Sequence, residues 1–381
     1  MENRLPLDIE EPQTIERPEE TQVFVAPQWK LIWWKFKKHR MAVIGAIITI
    51  LIYVVALFVE FLAPFDPHAT NSDYTYAPPQ QLILIDNEDG FALRPYVHGY
   101  KAERHPVTFR LEFTIDETQK TYLQFFAKGE PYKLLGIFDT DIHLFGPVDP
   151  EKPVYLIGAD RLGRDMFSRI LYGARISMSI GLVGVFVSLI LGILLGGISG
   201  YYGGMIDNII QRIIEFLRSI PTIPLWLGLS AALPLNWPPL QVYFAITIIL
   251  ALRGWTGMAR VVRGRFLSLR TEDFVMAAKL DGESEISIIL RQMLPAFASH
   301  IIASITLSIP GMILGETALS FLGLGLRPPI VSWGVLLQEA QNVQTVATAP
   351  WLLLPAGAVV LAVLALNFFG DGLRDAADPY T

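Results

Sequence analysis

The side chains able to do chemistry fall into three groups in this 381-residue chain. Asp160, Arg161, Arg164, Asp165 and Arg169 crowd one short stretch just before an apolar run. Alternating charges at that spacing make a local ion-pair network, and no nucleophile–base pair stands among them to suggest catalysis. Glu316 lies inside the apolar run around Leu314-Gly315-Glu316-Thr317. An acid there faces a wet cavity or a partner, or makes a structural hydrogen bond to a neighbouring helix. The third group is a polar island from Arg270 to Pro295, RTEDFVMAAKLDGESEISIILRQMLP, set between two strongly apolar segments. Zero cysteines exclude disulfides, thiolate metal sites and cysteine nucleophiles. The six histidines (His39, His68, His98, His105, His143, His300) are scattered without a metal-ligand spacing, and no GxxxxGK[ST] loop offers a phosphate cradle.

The polar island has the pieces of a helix, a tight turn and a second helix. Glu272 to Leu280 is rich in helix formers and contains the small pair Ala277-Ala278. Gly282 suits the left-handed position that ends a helix, and Ser284 can cap the next. Ile286, Ile289, Leu290 and Met293 then recur at i, i+3, i+4 and i+7, which predicts one apolar face of an amphipathic helix. Such a hairpin at a membrane surface is shaped to enter a groove on a partner protein.

These groups must be positioned by a membrane protein. Hydrophobic residues make up 52% of the chain and charged residues 17%, with mean hydropathy +0.42, outside the range of soluble domains. Residues 1–28 are acidic and proline-dotted and read as a disordered cytosolic tail. Residues 29–63 hold an aromatic and basic interfacial segment followed by a first span, Met41 to Ala63. Further spans are expected at Arg175 to Gly197, Ile220 to Ala232, Gln241 to Met258, Phe297 to Leu322 and Trp351 to Phe369, with a polar tail from Gly370. Tyr201 to Ser219 reads as an amphipathic connector. Residues 64–155 form a small extracytoplasmic insert, β-rich because Val107 to Ile115 alternates apolar and polar, Thr121 to Ala127 is strand-like, and Gln81 to Leu93 reads as a hairpin. Arg260, Arg263, Arg265 and Arg270 fall in one loop, whereas Gly325 to Pro350 carries Arg327 as its only basic residue. The positive-inside rule then puts the polar island and both termini in the cytoplasm, around six spans.

The polar island resembles the EAA motif of the permease subunits of ABC importers. Ala277, Ala278, Gly282, Leu294 and Pro295 fall in the matching places; Met276 stands where that family usually has Glu, and Gln292 where an apolar residue is common. Leu156 to Ser168-Arg169, continuing to Gly173-Ala174-Arg175, is similar to the block before the core spans in the second permease of dipeptide and oligopeptide importers. Leu319 to Gly325 with Pro328-Pro329 and Trp333-Gly334, and Phe369 to Asp375 with Asp378-Pro379, resemble two further blocks of that branch.

The resemblance implies an all-α polytopic fold, the six-helix type I importer permease, with residues 156–381 as its core and 270–295 as its coupling loop. It implies a bacterial or archaeal cytoplasmic membrane, a second homologous permease, two ATPase subunits that bind ATP and Mg, and an external substrate-binding protein. This chain itself would carry no cofactor, no metal and no enzyme activity, and would bind no nucleic acid. Met276, Ala277, Ala278, Lys279, Asp281, Gly282, Glu283, Ile286, Ile289 and Leu290 would meet the ATPase, and Pro310, Gly311 and Glu316 become candidate pathway or gate residues. A self-sufficient secondary transporter or channel is the rival reading; it needs its own coupling residues, and only Glu316 offers itself.

Overall fold

A computed structural model describes residues 28–84, 95–106 and 110–377. The acidic tail up to residue 27, most of the Gln81 to Leu93 hairpin, the start of the Val107 strand and Asp378-Pro379 lie outside these residues.

Helix α1 spans Gln28–Lys38 and stacks Lys30 and Lys37 on the faces of Trp34 and Trp33. Helix α2, Arg40–Leu57, is capped by His39, whose Nδ1 accepts from the Ala42 amide at 3.1 Å. A short turn, Val59–Leu62, follows. A three-stranded antiparallel sheet comes next, β1 Tyr96–Arg104, β2 Leu111–Leu134 and β3 Phe138–Pro147, in the order β1-β2-β3. The helical body is α3 Met166–Tyr202, α4 Gly204–Ser219, α5 Thr222–Ala231, α6 Pro239–Leu269, α7 Asp273–Leu280, α8 Ala298–Phe321, α9 Trp333–Gln338 and α10 Leu354–Ala377.

Among the described residues five helices are long and apolar enough to cross a membrane, where the sequence suggested six spans. The missing one is α5. Its 10 residues rise roughly 15 Å, about half of the hydrocarbon thickness. Pro221 at its start and Pro234 beyond its end confine it. Three other spans run longer than their apolar runs. Helix α3 begins at Met166 because Asp165 caps it, its carboxylate accepting from the amides of Phe167 and Ser168 at 3.3 and 2.7 Å. Helix α6 continues past Met258 to Leu269, so Arg260, Arg263 and Arg265 are helical residues rather than loop residues. Helix α10 runs on through Gly370 to Ala377 instead of giving way to a polar tail. A Cβ on Gly370 would come within 2.8 Å of the Leu307 side chain, and one on Gly372 within 2.0 Å of the Ala42 methyl, so both glycines serve close helix packing.

The sheet also departs from the sequence reading. Leu111 to Ile115 and Thr121 to Ala127 belong to one 24-residue strand, β2. Lys128 to Pro131 does not end that strand. It forms a bulge where the register to β3 shifts, which accommodates a proline lacking the ladder N–H. Partners β1 and β3 carry weaker alternation than β2, and pairing, not periodicity, makes them strands.

The core gathers Met178, Ile180, Ile246, Leu250, Ile313, Leu319 and Leu366 from α3, α6, α8 and α10. Helices α3 and α6 approach backbone to backbone: a Cβ on Gly196 would lie 2.4 Å from the Ala259 carbonyl oxygen. Phe36 and Phe369 meet edge to face at 5.8 Å, which brings α1 and the end of α10 to the same end of the bundle. The sheet sits at the other end, where Arg175 of α3 forks onto Glu60 and donates to the Ala56 carbonyl at 2.8 Å. His143 of β3 joins the sheet to the helices, with its ring nitrogens 2.7 Å from the Ala63 carbonyl and 3.1 Å from that of Glu130.

Candidate functional site

At the end opposite the sheet, α6 delivers the chain into the polar island. Helix α7 turns Val275 and Ala278 inward against Met258, Val262 and Phe266. Its opposite side, Phe274, Ala277 and Leu280 at i, i+3 and i+6, faces outward with Met276, and Leu280 is 86% exposed. The helix ends as the sequence predicts. Gly282 has φ +77°, the Glu283 amide bonds back to the Ala278 carbonyl at 3.1 Å, and the Gly282 amide to that of Lys279 at 3.2 Å, a Schellman closure. Ser284 then caps the next turn by accepting from the Ser287 amide at 3.3 Å.

The second half of the island differs from the expected helix. Glu285–Ser287 is a single α-turn, and Ile288–Met293 is a π-helix in which the Leu294 amide bonds to the Ile289 carbonyl. Pro295 offers no N–H to the Arg291 carbonyl, and the wider turn absorbs that lost bond. The consequence is a rotated face. Met293 is fully buried with Ile288, and Ile289 packs on the same cluster, so Ile286, Ile289, Leu290 and Met293 do not share one outward surface. Only Ile286, 71% exposed, and Leu290, 55% exposed, point away from the body. The exposed apolar surface of the loop is therefore Phe274, Ala277, Leu280, Ile286 and Leu290, with exposed Lys279, Asp281 and Glu283 around it.

Contacts from three helices brace this surface. The Tyr202 hydroxyl at the end of α3 donates to Glu285 at 2.6 Å, and Lys279 Nζ lies 5.3 Å over the Tyr201 ring. Beneath them Arg263 of α6 forks onto Asp207 of α4, both bonds 2.5 Å, and Ser199 donates to the same carboxylate. Hydrogen bonding to Arg263 holds the Asp207 carboxyl below the usual carboxylate range against the cost of partial burial. Sequence reasoning missed Phe274, Leu280 and the two tyrosines. The first two had a signal, the i, i+3, i+6 apolar row opposite Val275 and Ala278; the tyrosines are joined to the loop only by tertiary structure.

Glu316 is fully buried at a crossing of elements rather than open to a cavity. Ser320 and Ser332 donate to Oε1 at 2.8 and 2.7 Å, and Ser177 of α3 donates to Oε2 at 3.2 Å. Those hydroxyls in turn accept the amides of Leu326, Val335 and Trp333, so the one carboxylate organises α3, α8, the following loop and α9. On the same helix Pro310 is buried, whereas Gly311 is exposed and a Cβ there would touch nothing within 4 Å.

Near the sheet the charged cluster forms an ion-pair network around Asp160. Its carboxylate accepts from the Leu162 and Arg164 amides and from the guanidiniums of Arg164 (2.6 Å) and Arg169. Glu339, which no sequence signal marked, completes it by pairing with Arg161 at 3.4 Å and Arg164 at 3.5 Å. Asp165 stands apart from this network as the cap of α3.

Residues 166–381 match the family described as the binding-protein-dependent transport system inner membrane component, and residues 27–79 match the N-terminal transmembrane domain of oligopeptide transport permease C. The dipeptide transport system permease protein DppC of Bacillus subtilis (strain 168) is 39% identical over 232 residues, 60% of this chain and 70% of that protein. The dipeptide transport system permease protein DppC of Lactococcus lactis subsp. cremoris (strain MG1363) is 34% identical over 350 residues, 91% of this chain and 89% of that protein. Inward-facing structures of the MetNI methionine ABC transporter include one covering 56% of this chain and 98% of that chain at 18% identity, with a TM-score of 0.42. On the family match and the two permease relatives, the chain belongs to the binding-protein-dependent inner membrane components, the permease subunits of ABC importers.

Proposed function

We propose that this chain pairs with a second, homologous permease to line a peptide pathway, with the loop end in the cytoplasm and residues 64–155 outside. Two ATPase subunits, binding ATP and Mg, close against the loop, and an external binding protein delivers the substrate. The observation that carries this reading is the apolar surface at Leu280, Ile286 and Leu290, exposed on an otherwise polar loop and braced from behind. An amphipathic helical surface of this kind suits a groove, with apolar anchors at its centre and Lys279, Asp281 and Glu283 at its rim. Met276 and Ala277 flank it, while Ala278 and Ile289 hold it to the body and Gly282 sets the turn. Both relatives carry dipeptide transport in their names, which supports peptide as the cargo class.

Motion of the ATPase pair would move the loop as a rigid unit. The displacement passes along α6 and α8 and, through Tyr202 and Tyr201, into α3. Pro310 interrupts the hydrogen-bond ladder of α8 and Gly311 leaves its surface open, so that helix is suited to bend, while Glu316 keeps its far half fixed to α3 and α9. Purifying the chain with its two ATPases, second permease and binding protein, then measuring peptide-stimulated ATP hydrolysis in vesicles, tests the assignment. Stimulation by dipeptides or longer peptides supports it. Full-rate solute movement by the isolated chain would establish the rival self-sufficient transporter.

A further inference from the structure

The hairpin joining β2 to β3 ends in Leu134-Leu135-Gly136-Ile137-Phe138, and the apolar side chains at this tip stand in the open. Ile137 is 72% exposed, Phe138 64% exposed, and Leu135 exposed as well. The backbone there is a tight turn inside the three-residue loop between paired Leu134 and Phe138: Leu135 and Gly136 have φ +52° and +72°, and the Ile137 amide bonds to the Leu134 carbonyl at 3.1 Å. Such turns take Asn, Asp or Gly at the first central position, because a side chain branched beyond Cβ is strained in the left-handed region. Here a leucine occupies that position with its side chain exposed, so nothing within the sheet covers it.

The position of the tip says what it meets. Lys133, Leu135 and Gly136 line a cleft of about 530 Å³ together with Tyr53 and Leu57 of α2, Leu182 of α3 and the paired Glu60 and Arg175. Tyr53 lies inside the span Arg40–Leu57, and Leu182 inside the span Met166–Tyr202. Leu182 is two helical turns past Arg175, so it lies roughly 10 Å deeper along α3 than the Arg175–Glu60 pair. The hairpin thus shares one cleft with the Arg175–Glu60 pair and with span surface on its membrane side. Leu57 and Leu182 are themselves exposed, and the apolar row continues along α2 through Val54, Leu51 and Ile50. The charges nearest the tip, Lys133 and Asp139, pair across the hairpin at 3.9 Å one step back from the apolar residues, where a headgroup layer would be met.

We propose that the β2–β3 tip is a lipid-inserted anchor: Leu135, Ile137 and Phe138 sit among acyl chains of the leaflet on the sheet side, fixing the sheet beside α2. The surface it joins is continuous with the helix faces that the bilayer covers, and its outermost side chains, Leu135, Ile137 and Phe138, are all apolar. The anchor stands whatever solute the complex carries, since it requires only that α2 and α3 span the membrane.

The chain has no cysteine, so single sites can be labelled. Ile137→Cys, Phe138→Cys and, as a water-facing reference at the far end of β2, Glu117→Cys would each carry a nitroxide in full-length chain. Reconstitution is into phosphatidylethanolamine–phosphatidylglycerol vesicles. The ratio of collision with dissolved oxygen to collision with a soluble nickel chelate should be several-fold higher at residues 137 and 138 than at 117. Chelate access at the tip equal to that at residue 117 places it in water and overturns the anchor. Shielding from both reagents with an immobilised spectrum means that protein covers the tip, and overturns it equally. Two labelled positions keep the test intact if one variant does not fold.

Discussion

Tyr202 and Glu285 stand 83 positions apart in the chain, yet the tyrosine hydroxyl donates to the glutamate carboxylate at 2.6 Å. The bond links the last turn of a membrane helix to the turn that presents Ile286, and it lies at the surface, where it contributes little to folding. Tyr202→Phe is therefore expected to leave chain amount and membrane insertion unchanged while peptide uptake falls several-fold in vesicles containing the whole complex. Glu285→Gln, which keeps an acceptor, should lose less.

The inward and outward sides of α7 separate folding from docking. Val275 is fully buried and Leu280 almost fully exposed on the same eight-residue helix. Leu280→Asp and Ile286→Asp should abolish co-purification of the ATPase subunits with normal chain levels. Val275→Asp buries an uncompensated charge at a cost of several kcal/mol and should reduce the amount of chain itself. Quantitative blotting of membranes and pull-downs distinguishes the two outcomes.

How far the sequence alone reached can be judged on this loop and its surroundings. The turn chemistry of Gly282 and Ser284 was legible because φ > 0 and N-capping depend on local residue type. The second half of the loop was not. A period of 3.6 residues assigns Ile289 and Met293 to the outer face, and the π-turn ahead of Pro295 rotates them inward. The ends of the long helices were misjudged for a related reason. Charged residues such as Arg169 and Arg263 look like membrane boundaries until Asp160, ahead of the helix, and Asp207, on another helix, are found to neutralise them. The weak strands β1 and β3 are set by pairing to β2, which no single-strand pattern carries.

Glu316 can be tested as a fixed point by comparing two substitutions. Glu316→Ala leaves the hydroxyls of Ser177, Ser320 and Ser332 without their shared acceptor, and each buried hydroxyl so orphaned costs about 1–3 kcal/mol. Glu316→Gln retains an oxygen acceptor. Thermal unfolding in detergent should show a large drop in Tm for Glu316→Ala and a small one for Glu316→Gln. A residue that served only to line a pathway would leave both variants as stable as the parent.

Asp165 predicts a pH dependence. Burial pushes its carboxyl up from 3.8 to about 6, against the bonds from Ser168 and Phe167. The folded value exceeds the unfolded one, so the contribution is fully present below about pH 4 and is lost as pH rises through about 6. A shift of that size corresponds to roughly 3 kcal/mol. Asp165→Asn keeps an N-cap acceptor and should flatten the stability profile between pH 4 and 6, measured as Tm across that range.

The central claim is that the exposed apolar surface of the loop seats in an ATPase subunit. Because the chain lacks cysteine, Leu280→Cys and Ile286→Cys give unique handles, with the exposed Glu117→Cys of the sheet as the reference. A short thiol-reactive cross-linker applied to membranes holding the whole complex is predicted to join residues 280 and 286, but not 117, to an ATPase subunit. Absence of cross-links at 280 and 286, or their appearance at 117, would contradict the account.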